Sequence, residues 1–237
     1  MRNKLDRSVV RRESTADQVR QTLLTRILDG TYKPGDRLKE LLLAREFNVS
    51  QAPVREALRG LMAANIVETV PYKGARVRVV SDMELQQAYV VRALLEGLAG
   101  QLAAPRFKGD TEELKAHADA IKKAVKRKDM RQYAEHDYPF HRAIVERSGN
   151  HVLLRIWEQL HFEVRTTMYL FRPSARLAEA EKYHHKIVDA LERGNGSEAG
   201  KLLRQHSGAF ADELKSQISN REARGSTSPG RLGRPAR

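Results

Sequence analysis

Apolar residues recur every three or four positions over most of the chain, which is the period of an amphipathic helix. The first such segment begins after Ser14 and carries Val19, Leu23 and Ile27 on one face, and Gly30 follows its end. Glycine at this place is typical of a helix terminus. The pattern therefore predicts a first helix of about fourteen residues.

Two further short helices are predicted, over residues 39–47 and from Ser50 onward. Serine is a favourable N-cap, and Pro53 falls in the first turn of the second helix, where a missing N–H costs little. That helix has Val54 and Leu58 on its apolar face. Two short helices joined by a tight turn predict a helix-turn-helix.

The apolar period then changes from helical to strand-like. Residues 66–70 and 75–79 flank a turn in which Gly74 can adopt a positive φ. This pattern predicts a β-hairpin, and a hairpin directly after a helix-turn-helix forms a wing. We therefore predict a winged helix-turn-helix domain over residues 14–79.

The chain is helical in pattern from Ser81, where Ser81 and Glu84 fit a capping box. No strand pattern intervenes, so we predict that residues 80–220 form a separate all-α bundle and that the protein is mainly α. Two of the expected breaks fall at Pro105 and Pro173. The six predicted helices span residues 81–104, 111–127, 129–148, 151–171, 176–193 and 197–219.

The formal net charge of +13 is concentrated at the two ends of the chain. Residues 1–80 carry +7 and residues 221–237 carry +4, whereas residues 81–220 carry only +2. A basic segment that binds nucleic acid releases the counterions condensed on the phosphates, which increases the affinity. The alternative explanation of the charge is that it only keeps the protein soluble. We expect a flexible basic arm over residues 1–13 and a disordered basic tail over residues 221–237.

Composition narrows the class of protein further. The absence of cysteine excludes a disulfide framework and cysteine-based metal or redox chemistry. No apolar run approaches the roughly 18 residues that span a bilayer, and the N-terminus lacks the apolar core of a signal peptide. We therefore expect a globular, cytoplasmic protein without a membrane partner.

Several motifs resemble those of the GntR family of bacterial transcription regulators. They are PGDRLKE at 34–40, LA at 43–44, VS at 49–50, PVREALR at 53–59, and YKGA at 72–75 followed by Val77. The downstream helices resemble the FCD ligand-sensing domain of the FadR-like branch, and the match extends over about residues 14–215. The resemblance implies a homodimer that binds double-stranded operator DNA at two half-sites.

The residues expected to bind DNA cluster around the second short helix. The N-terminal end of a recognition helix lies nearest the bases, where Arg55 can bond guanine and Gln51 adenine. For Arg55 the alternative is an ion pair with Glu56 or Glu40. The predicted DNA-binding residues are Arg37, Ser50, Gln51, Ala52, Arg55, Arg59 and Lys73.

One carboxylate and three histidines in the second domain form a candidate metal site. Asp137 and His141 are four residues apart and therefore share a helix face, while His184 and His206 lie on the last two predicted helices. By itself the pattern is a weak signal, because most histidines are exposed or hydrogen-bonded. The FCD resemblance implies that these four residues are metal ligands, since its site has the same spacing of 4 and 22 residues. Such ligands suit Zn²⁺ first, with Ni²⁺, Mn²⁺ or Fe²⁺ as alternatives.

A small organic acid is the expected effector, because FCD domains often sense carboxylates. Arg92 and Glu96 match the family's Arg-x-x-x-Glu signature, although an ordinary intrahelical salt bridge explains the pair equally well. Arg92 and Arg165 are predicted to orient the effector through charge-assisted hydrogen bonds, and His161 shares a helix face with Arg165. Surface or packing roles are expected for the other histidines, His117, His136 and His151.

The favoured interpretation is a transcription repressor controlled by an organic acid at a metal-containing pocket. One alternative is a metal-dependent hydrolase that uses metal-bound water, and another is a purely structural metal. No motif places a separate general base, and the fused DNA-binding domain favours sensing over catalysis. We therefore expect a protein that is not an enzyme.

Overall fold

The computed structural model describes residues 13–70, 74–162, 165–166 and 177–226. The chain divides into two units, of which the first ends at Val79 and the second begins at Val80. The first unit contains α1 (Thr15–Leu28), β1 (Arg37–Leu38), α2 (Glu40–Glu46), α3 (Gln51–Ala63), β2 (Val67–Val70) and β3 (Gly74–Val77). The second contains α4 (Asp82–Phe107), α5 (Glu112–Arg127), α6 (Met130–Arg147), α7 (His151–Gln159), α8 (Leu177–Glu192) and α9 (Gly196–Ser226). The predicted fold class is confirmed.

The first unit is built from three helices and a small sheet. Ser14 caps α1 by accepting a hydrogen bond from the backbone N–H of Asp17 at 3.1 Å. Helix α1 packs against α3, and Leu23 of α1 and Val54 of α3 are both completely buried. Helix α2 packs on the same helix, so α3 is held in place from two sides.

The antiparallel sheet has the strand order β1-β3-β2. The hairpin of β2 and β3 was predicted, and Gly74 has the expected positive φ of 80°. Strand β1 was not predicted, because two residues are too few to show a period of two. In the register of the sheet, Arg37 and Glu68 lie on either side of Arg76.

Helices α4 and α9 form the centre of the second unit, and glycines allow their backbones to approach closely. A Cβ atom at Gly200 of α9 would lie 2.6 Å from the carbonyl oxygen of Gly97 on α4. A Cβ atom at Gly196 would lie 2.6 Å from the carbonyl oxygen of Gln101. Helix α5 packs against α6 and α8 and completes the bundle around this pair.

One expected helix end and one expected unbroken helix were wrong. Pro105 does not end α4, which continues to Phe107 because that buried ring holds the last turn against the core. The helix predicted over residues 151–171 is interrupted after Gln159, where His161 has a left-handed φ of 47°. Residues 162, 165 and 166 are helical again, and residues 167–171 lie outside the described residues. An unbroken helix would place Trp157 and Phe162 about 140° apart. The break allows both rings to be buried with their centroids 5.9 Å apart.

The start of the predicted disordered tail is also corrected. Helix α9 continues to Ser226, so the first six residues of the range 221–237 are helical. Arg221 contributes to this extension by pairing with Asp82 in the first turn of α4. The rest of the tail and nearly all of the arm over residues 1–13 lie outside the described residues. Within the described part of the chain, no helix is long and apolar enough to cross a membrane.

Candidate functional site

Helix α3 separates a buried face from an exposed polar face. Val54 and Leu58 are buried, whereas Gln51, Arg55 and Arg59 occupy successive turns on the exposed side. The N-cap residue Ser50 and the first-turn residue Ala52 are also exposed, and the Ser50 side chain makes no capping hydrogen bond. The structure thus brings five of the predicted DNA-binding residues to one accessible surface.

Arg55 forms one of the two ion pairs that the sequence left open as alternatives. Its Nη2 atom lies 3.0 Å from Oε2 of Glu40, at the start of α2, and its Nε donates to the same oxygen at 3.1 Å. The Arg55 side chain is 52% exposed and that of Glu40 36%, so solvent screens the pair and it adds little to stability. Arg55 can therefore exchange Glu40 for another partner at small cost.

Arg37 lies in β1, directly across the sheet from Arg76. Glu68 accepts a hydrogen bond from Nε of Arg76 at 2.6 Å and offsets part of this positive charge. Directly opposed like charges are unfavourable in a sheet, which makes the edge at Arg37 receptive to an anion. The seventh predicted DNA-binding residue, Lys73, lies outside the described residues.

Three helices bring the four predicted metal ligands together. Asp137 and His141 come from α6, His184 from α8 and His206 from α9, and all four are buried. One ligand atom of each lies within 4.8 Å of the others. The Nε2 atoms of His141 and His206 are 3.1 Å apart, and Nε2 of His184 lies 3.5 Å from Oδ1 of Asp137.

The protonation of this cluster favours cation binding. Burial raises the pKa of Asp137, but His141, His184 and Arg92 outweigh that effect and hold the pKa well below its usual value. Burial lowers the pKa of His206 far below its usual value, and the neighbouring His184 and His141 lower it further. Burial likewise lowers the pKa of His184, against an opposing effect of Asp137. Burial also lowers the pKa of His141, but Glu96 and Asp137 outweigh burial and raise it. The cluster therefore offers an anionic oxygen and two neutral imidazoles, and His141 has to release a proton before it can bind a metal.

Counting only the described residues, several polar atoms around the cluster are buried without a hydrogen-bond partner. They include both ring nitrogens of His184, Nδ1 of His206 and the hydroxyl of Tyr133. A buried polar atom without a partner costs about 1–3 kcal/mol, so such a group of atoms calls for an occupant. Ligand atoms about 2.1 Å from one metal ion lie roughly 3.0–3.4 Å apart. The contacts of 3.1, 3.5 and 3.7 Å within the cluster are close to that spacing, and all four ligand atoms lie within 4.8 Å of one another. The donor set and its spacing fit a divalent transition metal.

Arg92 adjoins this cluster at the centre of the second unit. Its Nε donates to Oε1 of Glu96 at 2.7 Å, and its Nη2 lies 3.6 Å from Oδ2 of Asp137. Burial lowers the pKa of Arg92, but these two carboxylates outweigh the effect and raise it. The guanidinium therefore places a permanent positive charge beside the candidate metal site.

The other predicted effector-binding residues, Arg165 and His161, follow α7, and Arg165 contacts the first turn of α4. Nη1 of Arg165 donates to Oε1 of Glu84 at 2.9 Å, about two helical turns from Arg92, and its Nε donates to the carbonyl oxygen of Leu160. His161 is partly exposed next to the break that follows α7. The structure thus places Arg92 at the cluster and Arg165 near the first turn of α4.

Some residues of interest were not predicted. Oε2 of Glu96 lies 3.0 Å from Nδ1 of His141, an ion-pair contact that lacks the alignment of a hydrogen bond. His117 and His136, expected to act separately, lie with their Nδ1 atoms 3.1 Å apart between α5 and α6. The Arg-x-x-x-Glu spacing pointed to Glu96 as a partner of Arg92 only. Its second contact depends on how α4 packs against α6, which no spacing within one helix reveals.

Comparison with known proteins agrees with this architecture. The family model for bacterial regulatory proteins of the gntR family matches residues 15–77, and the FCD domain model matches residues 87–209. A probable D-xylose utilization operon transcriptional repressor of Paenarthrobacter nicotinovorans is 35% identical over 84% of this chain and 88% of its own length. The gluconate operon transcriptional repressor of Bacillus licheniformis is 31% identical over 76% and 74%.

A solved structure gives the same result. McbR/YncC of Escherichia coli aligns with a TM-score of 0.73 at 27% identity, covering 87% of this chain and all of that one. The fold and the site thus define a two-domain transcription regulator with a DNA-binding helix-turn-helix. The chain belongs to the GntR family, in the FadR-like branch that carries an FCD domain.

Proposed function

We propose that this protein is a homodimeric repressor whose operator affinity is controlled by a small carboxylate bound at a metal centre. The buried cluster of Asp137, His141, His184 and His206 is the single observation that carries the proposal. A bundle gains no stability from four buried polar side chains, three of them histidines with ring nitrogens that have no hydrogen-bond partner among the described residues, unless something binds them. Because the same chain carries a DNA-binding helix-turn-helix, binding at this cluster is best explained as a means of regulating DNA binding.

The four residues would hold the ion through one carboxylate oxygen and three imidazole nitrogens. Zn²⁺ is our first choice for this ligand set, and Ni²⁺, Mn²⁺ and Fe²⁺ are the alternatives. When bound, the metal supplies open coordination positions for the oxygens of an acid. The protein itself supplies the surrounding positive charge of Arg92, 3.6 Å from Asp137.

The class of effector follows from the charge and hydrogen-bond donors that border the cluster. Arg92 donates charge-assisted bonds, and burial and the nearby Asp137 raise the pKa of Tyr133 so that its hydroxyl stays a donor. Positive charge and neutral donors together favour an organic acid. A relative named for a gluconate operon supports the same class.

Operator binding is assigned to the exposed face of α3 and to the wing. In this proposal the exposed residues Arg55 and Gln51 would read base edges, and the exposed residues Arg59 and Arg37 would contact phosphates. Phosphate contacts position the protein, and base contacts specify the sequence.

An unpartnered apolar stripe on α4 supports the dimer. Within the described residues, large apolar side chains are exposed along this helix every three or four residues, and α7 adds two more. A second copy of the same chain is the occupant we favour, because an isologous interface pairs identical stripes and matches a two-fold operator. The exposed residues are Met83, Val90, Val91, Leu94, Leu98 and Leu102 on α4, and Val152 and Ile156 on α7.

Fluorescence anisotropy with the protein's own promoter DNA tests this function, with and without a chelator and with a panel of organic acids. We expect saturable, salt-sensitive binding that one acid weakens only in metal-loaded protein, since an effector acts by binding two conformations unequally. Turnover of an acid would favour the enzyme alternative instead. A chelator that lowers thermal stability without changing any acid response would favour a structural metal.

A further inference from the structure

Glu96 is a carboxylate buried at the centre of the helical unit, with only 1% of its surface exposed. Oε1 accepts hydrogen bonds from Nε of Arg92 at 2.7 Å and from Nε1 of Trp157 at 2.9 Å. Oε2 accepts a hydrogen bond from the hydroxyl of Ser207 at 2.6 Å. Three donors from α4, α7 and α9 thus fix both oxygens of this side chain.

The same Oε2 atom faces a candidate metal ligand. It lies 3.0 Å from Nδ1 of His141, whereas Nε2 of that ring lies 3.1 Å from Nε2 of His206. A carboxylate beside Nδ1 favours the tautomer with its proton on that nitrogen. The lone pair of Nε2 is then directed into the cluster, which is the state that binds a metal.

We infer that Glu96 is a positioning residue that orients His141 for the metal and links the centre to Trp157 of α7. This inference rests on the metal site of the proposed function. It gives the Arg-x-x-x-Glu pair a role beyond an intrahelical salt bridge, because Arg92 fixes a carboxylate that lies 3.0 Å from Nδ1 of His141.

Trp157 makes this link observable, since it is the only tryptophan of the sequence. Its indole N–H donates directly to Glu96, so a small shift of the carboxylate changes the polarity around the ring. Two exposed residues of α7, Val152 and Ile156, belong to the apolar stripe that we assign to the dimer. Glu96 therefore lies on a short path from the metal centre to that surface.

The test is a Zn²⁺ titration of chelator-treated full-length protein. Competition with a chromophoric indicator measures the Zn²⁺ affinity, and tryptophan emission reports the surroundings of Trp157. Glu96→Gln keeps the shape of the side chain but removes its charge. We expect its Zn²⁺ affinity to fall about 10- to 100-fold, as for other partners of metal ligands, and its emission change at saturation to disappear. Glu146→Gln, an exposed charge change on the helix that carries His141, is the matched control with unchanged affinity.

Ser207→Ala keeps both charges of the Arg92–Glu96 pair and tests the same oxygen if Glu96→Gln does not fold. This variant should bind Zn²⁺ a few-fold more weakly than the wild type, with a smaller emission change. If Glu96→Gln folds and shows the Zn²⁺ affinity and the emission change of the wild type, the inference is overturned and the proposed function stays intact. If only Ser207→Ala folds, the same result in that variant has the same meaning. Wild-type protein that binds Zn²⁺ without any emission change overturns the link to Trp157. A wild type that binds none of the four candidate metals overturns the metal site itself, and the inference with it.

Discussion

Arg55 of the exposed face of α3 pairs with Glu40 at the start of α2, with Nη2 and Oε2 3.0 Å apart. The pair spans the two helices of the helix-turn-helix and holds the guanidinium at the surface. Because both side chains are exposed, solvent screens the attraction and leaves the arginine available to a base or phosphate.

Replacing Arg55 with alanine should weaken specific operator binding by about 5- to 150-fold, which corresponds to the 1–3 kcal/mol of a bidentate contact with guanine. Anisotropy with operator and random duplexes measures the effect. Glu40→Gln should change the affinity far less, because it removes only an exposed pair. Unchanged operator affinity in Arg55→Ala would remove this residue from the DNA interface.

Replacing His184 with alanine should abolish metal retention, because it removes a buried ligand of the cluster. A ligand at about 100 times its dissociation constant stabilises a protein by about 2.7 kcal/mol, so chelation should lower the melting temperature of the wild type but not of this variant. The matched control is His185→Ala, next to it on α8, whose side chain is 40% exposed and pairs with Asp119. Metal content by elemental analysis decides the result, and equal content in the two variants would contradict the assignment.

Replacing Leu94 with aspartate should convert the dimer to a monomer. Leu94 is 64% exposed in the middle of the α4 stripe, and a charge there would be buried without a partner in a two-fold interface. Light scattering after size-exclusion chromatography gives the mass directly. Leu42→Asp, at an exposed apolar position of α2, should leave the mass unchanged, and a persistent dimer in Leu94→Asp would exclude the stripe as the interface.

Two glycines of α9 should respond in opposite directions to alanine. At Gly200 the added Cβ would lie 2.6 Å from the backbone oxygen of Gly97, which cannot move aside, so Gly200→Ala should lower the free energy of unfolding by about 1–3 kcal/mol. No atom of the described residues lies within 4 Å of a Cβ at Gly208, so Gly208→Ala should raise the free energy of unfolding by up to about 1 kcal/mol through helix propensity. Urea unfolding measures both, and equal effects would show that α4 and α9 do not pack this closely.

His117 should make stability depend on pH. Burial lowers its pKa in the folded protein, and the adjacent His136 lowers it further. Below about pH 6.5 the unfolded chain therefore binds more protons than the folded one, and stability falls as the pH drops. Urea midpoints in excess chelator at about pH 7 and about pH 5 should differ less for His117→Gln than for the wild type. The control is His151→Gln, at an exposed histidine, whose two urea midpoints should differ as much as those of the wild type. An equally large difference in His117→Gln would contradict the prediction.

Local patterns along the chain were sufficient to predict much of the fold. The apolar face of α3, the N-cap Ser50 and the period change before Gly74 were enough to predict a helix-turn-helix followed by a wing. The spacing of Asp137 and His141 placed both on one helix face. These properties depend on residues a few positions apart, and the helical and strand periods relate them directly.

Other features depended on packing between helices that are distant in sequence. Burial of Phe107 keeps α4 helical beyond Pro105, and the common burial of Trp157 and Phe162 ends α7 early. The family resemblance, rather than spacing, grouped His184 and His206 with the α6 pair.

The sequence by itself determined the two kinds of domain, because these follow from local periods and residue chemistry. Its resemblance to a known family supplied the class of regulator and the ligand set of the candidate metal site. Only the tertiary structure decided which side chains surround those ligands. Glu96 reaches His141, and His117 meets His136, because separate helices pack side by side at distances that no single period encodes. The unpaired nitrogens of His184 likewise became visible only once neighbouring helices had removed water from around them.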